Sequence, residues 1–185
     1  AMISHVDKRV GNIIQTLKDN GLYENTIIIF AGDNGLAVGQ HGLMGKQNVY
    51  EHSVGVPLMI KAAAQHTGKK TADLCYLIDV FPTLCDMLQL PVPQSVDGIS
   101  LLSSLDGKEP VRDYLYYSYM DNQRGISDGT WKLIEYHVNG KRTTQLFNLK
   151  NDPWERNDLS GQKKYEKTIQ RLREKMAEEQ KRTND

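Results

Sequence analysis

The chain has 185 residues, with 23 Lys+Arg against 23 Asp+Glu and so no net charge, and it is long enough to bury a core. It lacks the basic excess that draws nucleic acid or an anionic membrane surface, and no apolar run approaches the length of a membrane span. The expectation is one domain, alone or with a small appendage, with neither nucleic-acid nor membrane partners.

The first residues already carry a helical pattern rather than a basic segment followed by an apolar one, so the chain reads as beginning inside an element, as a fragment would. Val6, Val10, Ile13, Ile14 and Leu17 recur at helical spacing, and Asn20-Gly21 supplies a stop, which predicts a helix over 4–20. His5 and Asp7 fall in its solvated first turn, where the helix dipole favours an acidic side chain. Thr26 to Ala31 is β-branched and apolar and predicts a strand buried on both faces. Helix, turn and strand in this order point to a layered α/β fold.

The strand breaks at Gly32 into Asp33-Asn34-Gly35. A loop punctuated by Gly35, Gly39, Gly42 and Gly45 then delivers Lys46, and Val56 to Ile60 predicts a second strand. Asp, Asn and Gly favour a plain turn on their own account. The alternative is a site, because open α/β sheets bind ligands outside the carboxyl ends of their strands. Two oxygen donors and a lysine at such an end suit a metal ion and an anion.

Ala62 to Asp73 is polar and predicts a loop. Asp79 is placed to cap a helix with Pro82 in its first turn, running through Cys85, Met87 and Leu88. Cys75 and Cys85 lie in apolar sequence and read as buried thiols. Gln89 to Pro110, with three prolines, two glycines and several serines, reads as a long connection. It divides residues 1–105, the α/β part, from a smaller subdomain over 106–185.

Beyond it, Tyr114 to Met120 predicts a strand whose Tyr114, Tyr116, Tyr117 and Tyr119 pack on a sheet. Asp128-Gly129 and Asn139-Gly140 each mark a hairpin, giving an antiparallel meander that ends in Thr143 to Phe147. Asp121-Asn122-Gln123-Arg124 is a further candidate for touching a leaving group. Residues 161–182 predict a charged helix with Tyr165, Ile169, Leu172 and Met176 on one face. His52, His66 and His137 read as structural or surface residues.

With these residues in view, the chain resembles the carboxyl-terminal portion of a formylglycine-dependent sulfatase of the alkaline-phosphatase-like superfamily. The strings that carry the resemblance begin with the helix holding Asp7 and Gly11, "NTIIIFAGDNG", "GQHGLMGK" and "VPLMIKA". They continue through "LIDVFPTLCDML", "VDGISLL" and "DGTWKLI" to "QLFNLKNDPWERNDL". The last is similar to the family's "LYDLxxDPxExxNL" signature, and the order matches along nearly the whole chain.

The resemblance implies an alkaline-phosphatase-like α/β/α sheet followed by a small antiparallel sheet with a helix. It implies an arylsulfatase-like hydrolase of sulfuric esters. Asp33 and Asn34 match the family's later pair of metal ligands, for calcium as a rule. Lys46 matches its later active-site lysine, which holds a sulfate oxygen and assists catalysis. His41 falls where many members carry a histidine at the substrate. The expected substrate is a sulfated small molecule or glycan, and members are commonly exported to the periplasm or secreted.

The chain departs from the family in lacking the Cys/Ser-x-Pro/Ala-x-Arg motif that yields formylglycine: Cys75 precedes Tyr76-Leu77, and Cys85 precedes Asp86-Met87. The family's first acidic metal pair and its upstream lysine and histidines also have no counterpart. The partner implied is therefore the missing N-terminal part of the same protein, and the 185 residues alone are expected to be inactive. Gly55 and Ser127 sit where many members carry arginine, which blurs any subgroup. Two readings stay open beside the sulfatase. One is a phosphatase, phosphodiesterase or phosphonate hydrolase of the same superfamily, and the other is a non-catalytic structural or interaction module.

Overall fold

The computed structural model describes residues 2–62 and 68–185. The loop expected over 62–73, with His66, thus lies outside the described residues at 63–67. Contacts group the chain into two units, Ala1–Ala31 with Leu58–Lys70, and Gly32–Pro57 with Thr71–Asp185.

In the first unit, α1 (Met2–Asp19) is closed as the sequence predicts. Gly21, with φ of 67°, donates to Lys18 O, and Leu22 donates to Leu17 O, a paired C-terminal closure that needs a left-handed residue. Val10, Ile14 and Leu17 are half-buried, whereas Val6 and Ile13 are exposed. Strand β1 (Ile28–Ala31) will pair with β4 (Leu58–Lys61) in antiparallel register, Ile28 opposite Lys61 and Ala31 opposite Leu58. The Lys61 ammonium donates to Tyr23 O and Thr26 O and lies over the Tyr23 ring, tying β4 to the turn before β1. β1 is not buried on both faces: Ile28, Ile29 and Phe30 are half-buried and Ala31 is exposed. A two-stranded ribbon cannot enclose its own faces.

The second unit begins at Gly32. It holds the two-residue strands β2 (Ala37–Val38) and β3 (Met44–Gly45) and the single-turn helix α2 (Glu51–Val54). Helix α3 (Val80–Met87) carries Pro82 in its first turn. Asp79 precedes it but does not cap it. Its carboxylate turns back to accept the N–H groups of Tyr76 and Ile99 and pairs with both terminal nitrogens of Arg112 at 2.7 and 2.8 Å. Fully buried, Asp79 needs that many donors, and together they pin the long connection that contains α4 (Leu102–Leu105). Both cysteines are free, with Cys85 buried and Cys75 half-buried. Burial, aided by the Asp79 carboxylate, pushes the Cys75 thiol up.

The meander forms as expected from β5 (Leu115–Tyr119), β6 (Gln123–Ser127), β7 (Trp131–Val138) and β8 (Lys141–Asn148), neighbours in that order and antiparallel throughout. Asn139 and Gly140 both have positive φ, as a two-residue turn between twisted strands demands. Strand alternation gives the sheet two distinct faces. Ile126, Leu133 and Leu146 meet Ile169, Leu172 and Met176 of α5 (Glu166–Thr183), the stripe that its helical spacing predicts. On the other face Ile134 and Phe147 pack against Val49 and Tyr50. Full burial of each such side chain contributes about 1.5–3 kcal/mol. The sheet is therefore anchored by α5 on one side and supports the segment leading into α2 on the other. Among the described residues no helix is long and apolar enough to cross a membrane.

Candidate metal and anion site

Asp33 is exposed, and its Oδ1 accepts the Asn34 N–H at 2.9 Å. The Gly35 N–H donates to Ser53 O of α2 at 2.8 Å. A Cβ on Gly35 would stand 2.0 Å from His52 O, so only glycine lets the chain run this close to α2. The Asp-Asn-Gly sequence is thus more than a strand-ending turn: its glycine docks the loop on α2.

The glycine-punctuated stretch folds into a small ribbon, with Ala37 opposite Gly45 and Val38 opposite Met44. Its bend, closed by the Gly39 N–H on Leu43 O, uses positive φ at Gly39, His41 and Gly42. Lys46 follows the ribbon and is exposed. Its carbonyl accepts the Asn48 N–H at 2.9 Å, and Asn48 Oδ1 accepts the Tyr50 N–H at 3.0 Å. Among the described residues no ion pair holds its ammonium, which leaves the charge available to an anion.

His41 is held twice. Its ring stacks on Tyr50 at 4.0 Å with the planes 6° apart. Its Nε2 lies 3.2 Å from Trp154 O, and since a carbonyl only accepts, Nε2 carries the proton and Nδ1 stays available. The Tyr50 hydroxyl donates to Gln145 of β8, fixing the stack to the sheet. His52 lies 5.7 Å beyond Tyr50, its pKa lowered first by burial and then by the nearby His41 and Lys132. Arg124, in β6, is engaged by Met120 O, Gln123 O and the Asp185 carboxylate.

Among the described residues, no hydrogen bond or ion pair joins Asp33 or Asn34 to His41 or Lys46. What they share is the segment 48–55: Gly35 docks on its end, Lys46 on its start, and His41 on Tyr50 within it. Nor do three or more His, Cys, Asp or Glu side chains cluster as a complete metal site among the described residues. Asp33 and Asn34 therefore offer two oxygen donors of the six to eight that calcium takes. Their hard-oxygen chemistry fits such a cation, with the remaining ligands to come from elsewhere.

Sequence reasoning passed over the charged group beneath this segment. Lys132 of β7 is fully buried and contacts Glu51 Oε1 at 2.7 Å and Glu155 Oε1 at 3.1 Å. Glu155 Oε2 also accepts the Glu51 N–H at 2.6 Å. A lysine among the apolar residues of β7 was the available cue.

A family model described as "N-sulphoglucosamine sulphohydrolase, C-terminal" matches residues 39–182. The chain belongs to this sulphohydrolase family. The matched span contains His41, Lys46, Lys132 and Glu155 and begins after Asp33-Asn34. Among curated relatives, an N-acetylglucosamine-6-O-sulfatase of Bacteroides thetaiotaomicron is 30% identical over 198 residues, covering 100% of this chain and 35% of the relative. The chain thus spans about a third of that sulphohydrolase relative's length. A structure solved in complex with its substrate D-glucosamine-2-N,6-O-disulfate superposes with a TM-score of 0.78 at 28% identity, covering 97% of this chain and 39% of that one. A phosphonate monoester hydrolase of Agrobacterium radiobacter superposes with a TM-score of 0.79 at 27% identity, over 96% and 39% of the two chains. These neighbours bear out the alkaline-phosphatase-like fold.

Proposed function

We propose that this chain is the C-terminal portion of a hydrolase of sulfuric esters, acting in the intact protein on a sulfated small molecule or glycan. The observation that carries the reading is the match of a sulphohydrolase model across residues 39–182, over the ribbon that presents Lys46. The sulfated glucosamine bound by one structural relative supports a glycan as the substrate class.

Asp33 and Asn34 would hold two of the ligand positions of a hard divalent cation, calcium by the family's habit. Such a cation would supply charge neutralisation at the sulfuryl oxygens. The Lys46 ammonium holds a sulfate oxygen and stabilises the charge that moves onto the leaving oxygen as the S–O bond breaks. His41, anchored through Nε2, offers Nδ1 as an acceptor to a substrate hydroxyl. The nucleophile comes from outside these 185 residues, since neither cysteine sits in a formylglycine motif and Cys75 is pushed away from the thiolate.

The likeness to a phosphonate hydrolase supports a second reading, phosphoryl or phosphonyl transfer on the same scaffold. Assaying the full-length polypeptide on an aryl sulfate and an aryl phosphonate, with and without a calcium chelator, separates the two. Chelator-sensitive sulfate hydrolysis in excess of phosphonate hydrolysis is the expected result. The reverse preference transfers the assignment to the phosphonate class, and no turnover of either leaves a non-catalytic module.

A further inference from the structure

We propose that Lys132, Glu155 and Glu51 are positioning residues that hold α2, and through it the loop of Asp33 and the ribbon of Lys46, in place against the meander. The three groups come from segments far apart in sequence, 81 residues between Glu51 and Lys132 and 104 between Glu51 and Glu155. Lys132 has no exposure, Glu155 side-chain exposure is 1%, and Glu51 side-chain exposure is 31%. The ammonium also lies 5.0 Å over the Tyr117 ring. Lys132 stands on the inner face of β7, a strand held on both sides by β6 and β8. Its position is thus set by the sheet, not by the groups it contacts.

The connection to the site runs through α2 and the residues just before it, with a further contact from Trp154 O to His41. Lys132 and Glu155 fix Glu51, the helix's first residue, by side chain and by backbone N–H. Two residues on, Ser53 O receives the Gly35 N–H, and His52 O stands where any Gly35 side chain would be. On the other side of Glu51, Tyr50 carries the stacked His41 ring, and Asn48 bonds the Lys46 carbonyl. All four candidate site residues therefore attach within three residues of Glu51, to a segment whose single helical turn is too short to hold its own shape. A buried ion group is no better a stabiliser than apolar packing of the same volume, but it fixes geometry through directed bonds. Its charge serves here to set a register between the sheet and α2.

The inference uses the hydrolase reading only for its activity readout. The test compares the full-length polypeptide with Lys132→Met and Glu155→Gln, the second keeping an acceptor for the Glu51 N–H should the first fail to fold. Hydrogen–deuterium exchange is followed in peptides covering 33–36 and 46–55, with 166–183 as the folding control, beside kcat and KM on an aryl sulfate. The expected result is at least tenfold faster exchange in the two site peptides with the control unchanged. A tenfold or larger fall in kcat/KM should accompany it. Unchanged exchange at the site, or an equal rise in all three peptides, overturns the proposal. If the site peptides loosen while the wild type hydrolyses no sulfate ester, the positioning role stands and the sulfatase reading falls.

Discussion

Glu155 Oε2 accepts the backbone N–H of Glu51 at 2.6 Å across 104 residues of sequence. Glu155 reaches it from a left-handed backbone, with φ of 54°, inside the string Asp152-Pro153-Trp154-Glu155. Burial pushes the Glu155 carboxyl up despite the ammonium beside it, so this contact is held against a desolvation cost. Removing the carboxylate leaves Lys132 buried with Glu51 alone and the Glu51 N–H without its acceptor. Glu155→Ala is expected to lower unfolding stability by about 3 kcal/mol, measured by urea titration at neutral pH.

Gly35→Ala tests the close approach behind the Asp33 loop. The new Cβ meets His52 O at 2.0 Å, a backbone atom of α2 that cannot swing aside. Overpacking of this kind costs about 1–3 kcal/mol. Because the displaced atoms carry Asp33, calcium affinity of the full-length protein is expected to fall with it, as read by calorimetric titration.

The pH dependence centres on Glu135, fully buried between the guanidinium groups of Arg142 and Arg173. Burial alone would raise its pKa, but hydrogen bonds and charge from the two arginines outweigh that and bring it below the usual carboxylate value. A depressed folded pKa contributes stability that is present above the unfolded value, about 4.3. That stability is lost as pH falls through the folded value. Glu135→Gln should therefore be less stable than wild type at pH 7, with the gap closing below about pH 4. A gap that stays constant across that range in urea titrations contradicts the assignment.

Leu172→Ala addresses the opposite face of the sheet. Leu172 is fully buried among Ile126, Leu133, Leu146, Ile169 and Met176. Emptying that volume is expected to cost about 2–5 kcal/mol, seen as a lower urea midpoint, with calcium affinity unchanged because, among the described residues, no contact of the site passes through α5.

Much of this architecture was legible in local pattern. The Ile169–Leu172–Met176 stripe marks α5's buried face, and Asn139-Gly140 marks a turn whose two positive φ values only such residues adopt readily. The Asp33-Asn34 pair stood out from resemblance, since composition alone also fits a turn. Other features depend on contacts with no local signature. Asp79 resembles a helix cap in sequence, yet buried beside Arg112 it answers a distant guanidinium instead. β1's apolar run implied burial on both faces, but burial depends on the number of neighbouring strands, and among the described residues only β4 pairs with it. The glycines at 39, 42 and 45 concealed the β2–β3 ribbon, because glycine weakens any strand pattern. Lys132, Glu51 and Glu155 were three unremarked charges until the fold brought them together.

In the proposed site, Lys46 is the cation that meets the sulfate. The decisive measurement is kcat/KM for an aryl sulfate with the full-length polypeptide and its Lys46→Ala variant, at saturating calcium. A loss of about 10²–10³-fold, with the unfolding midpoint unchanged because Lys46 is exposed, is the predicted result. Full activity in the variant would contradict the assignment of the site.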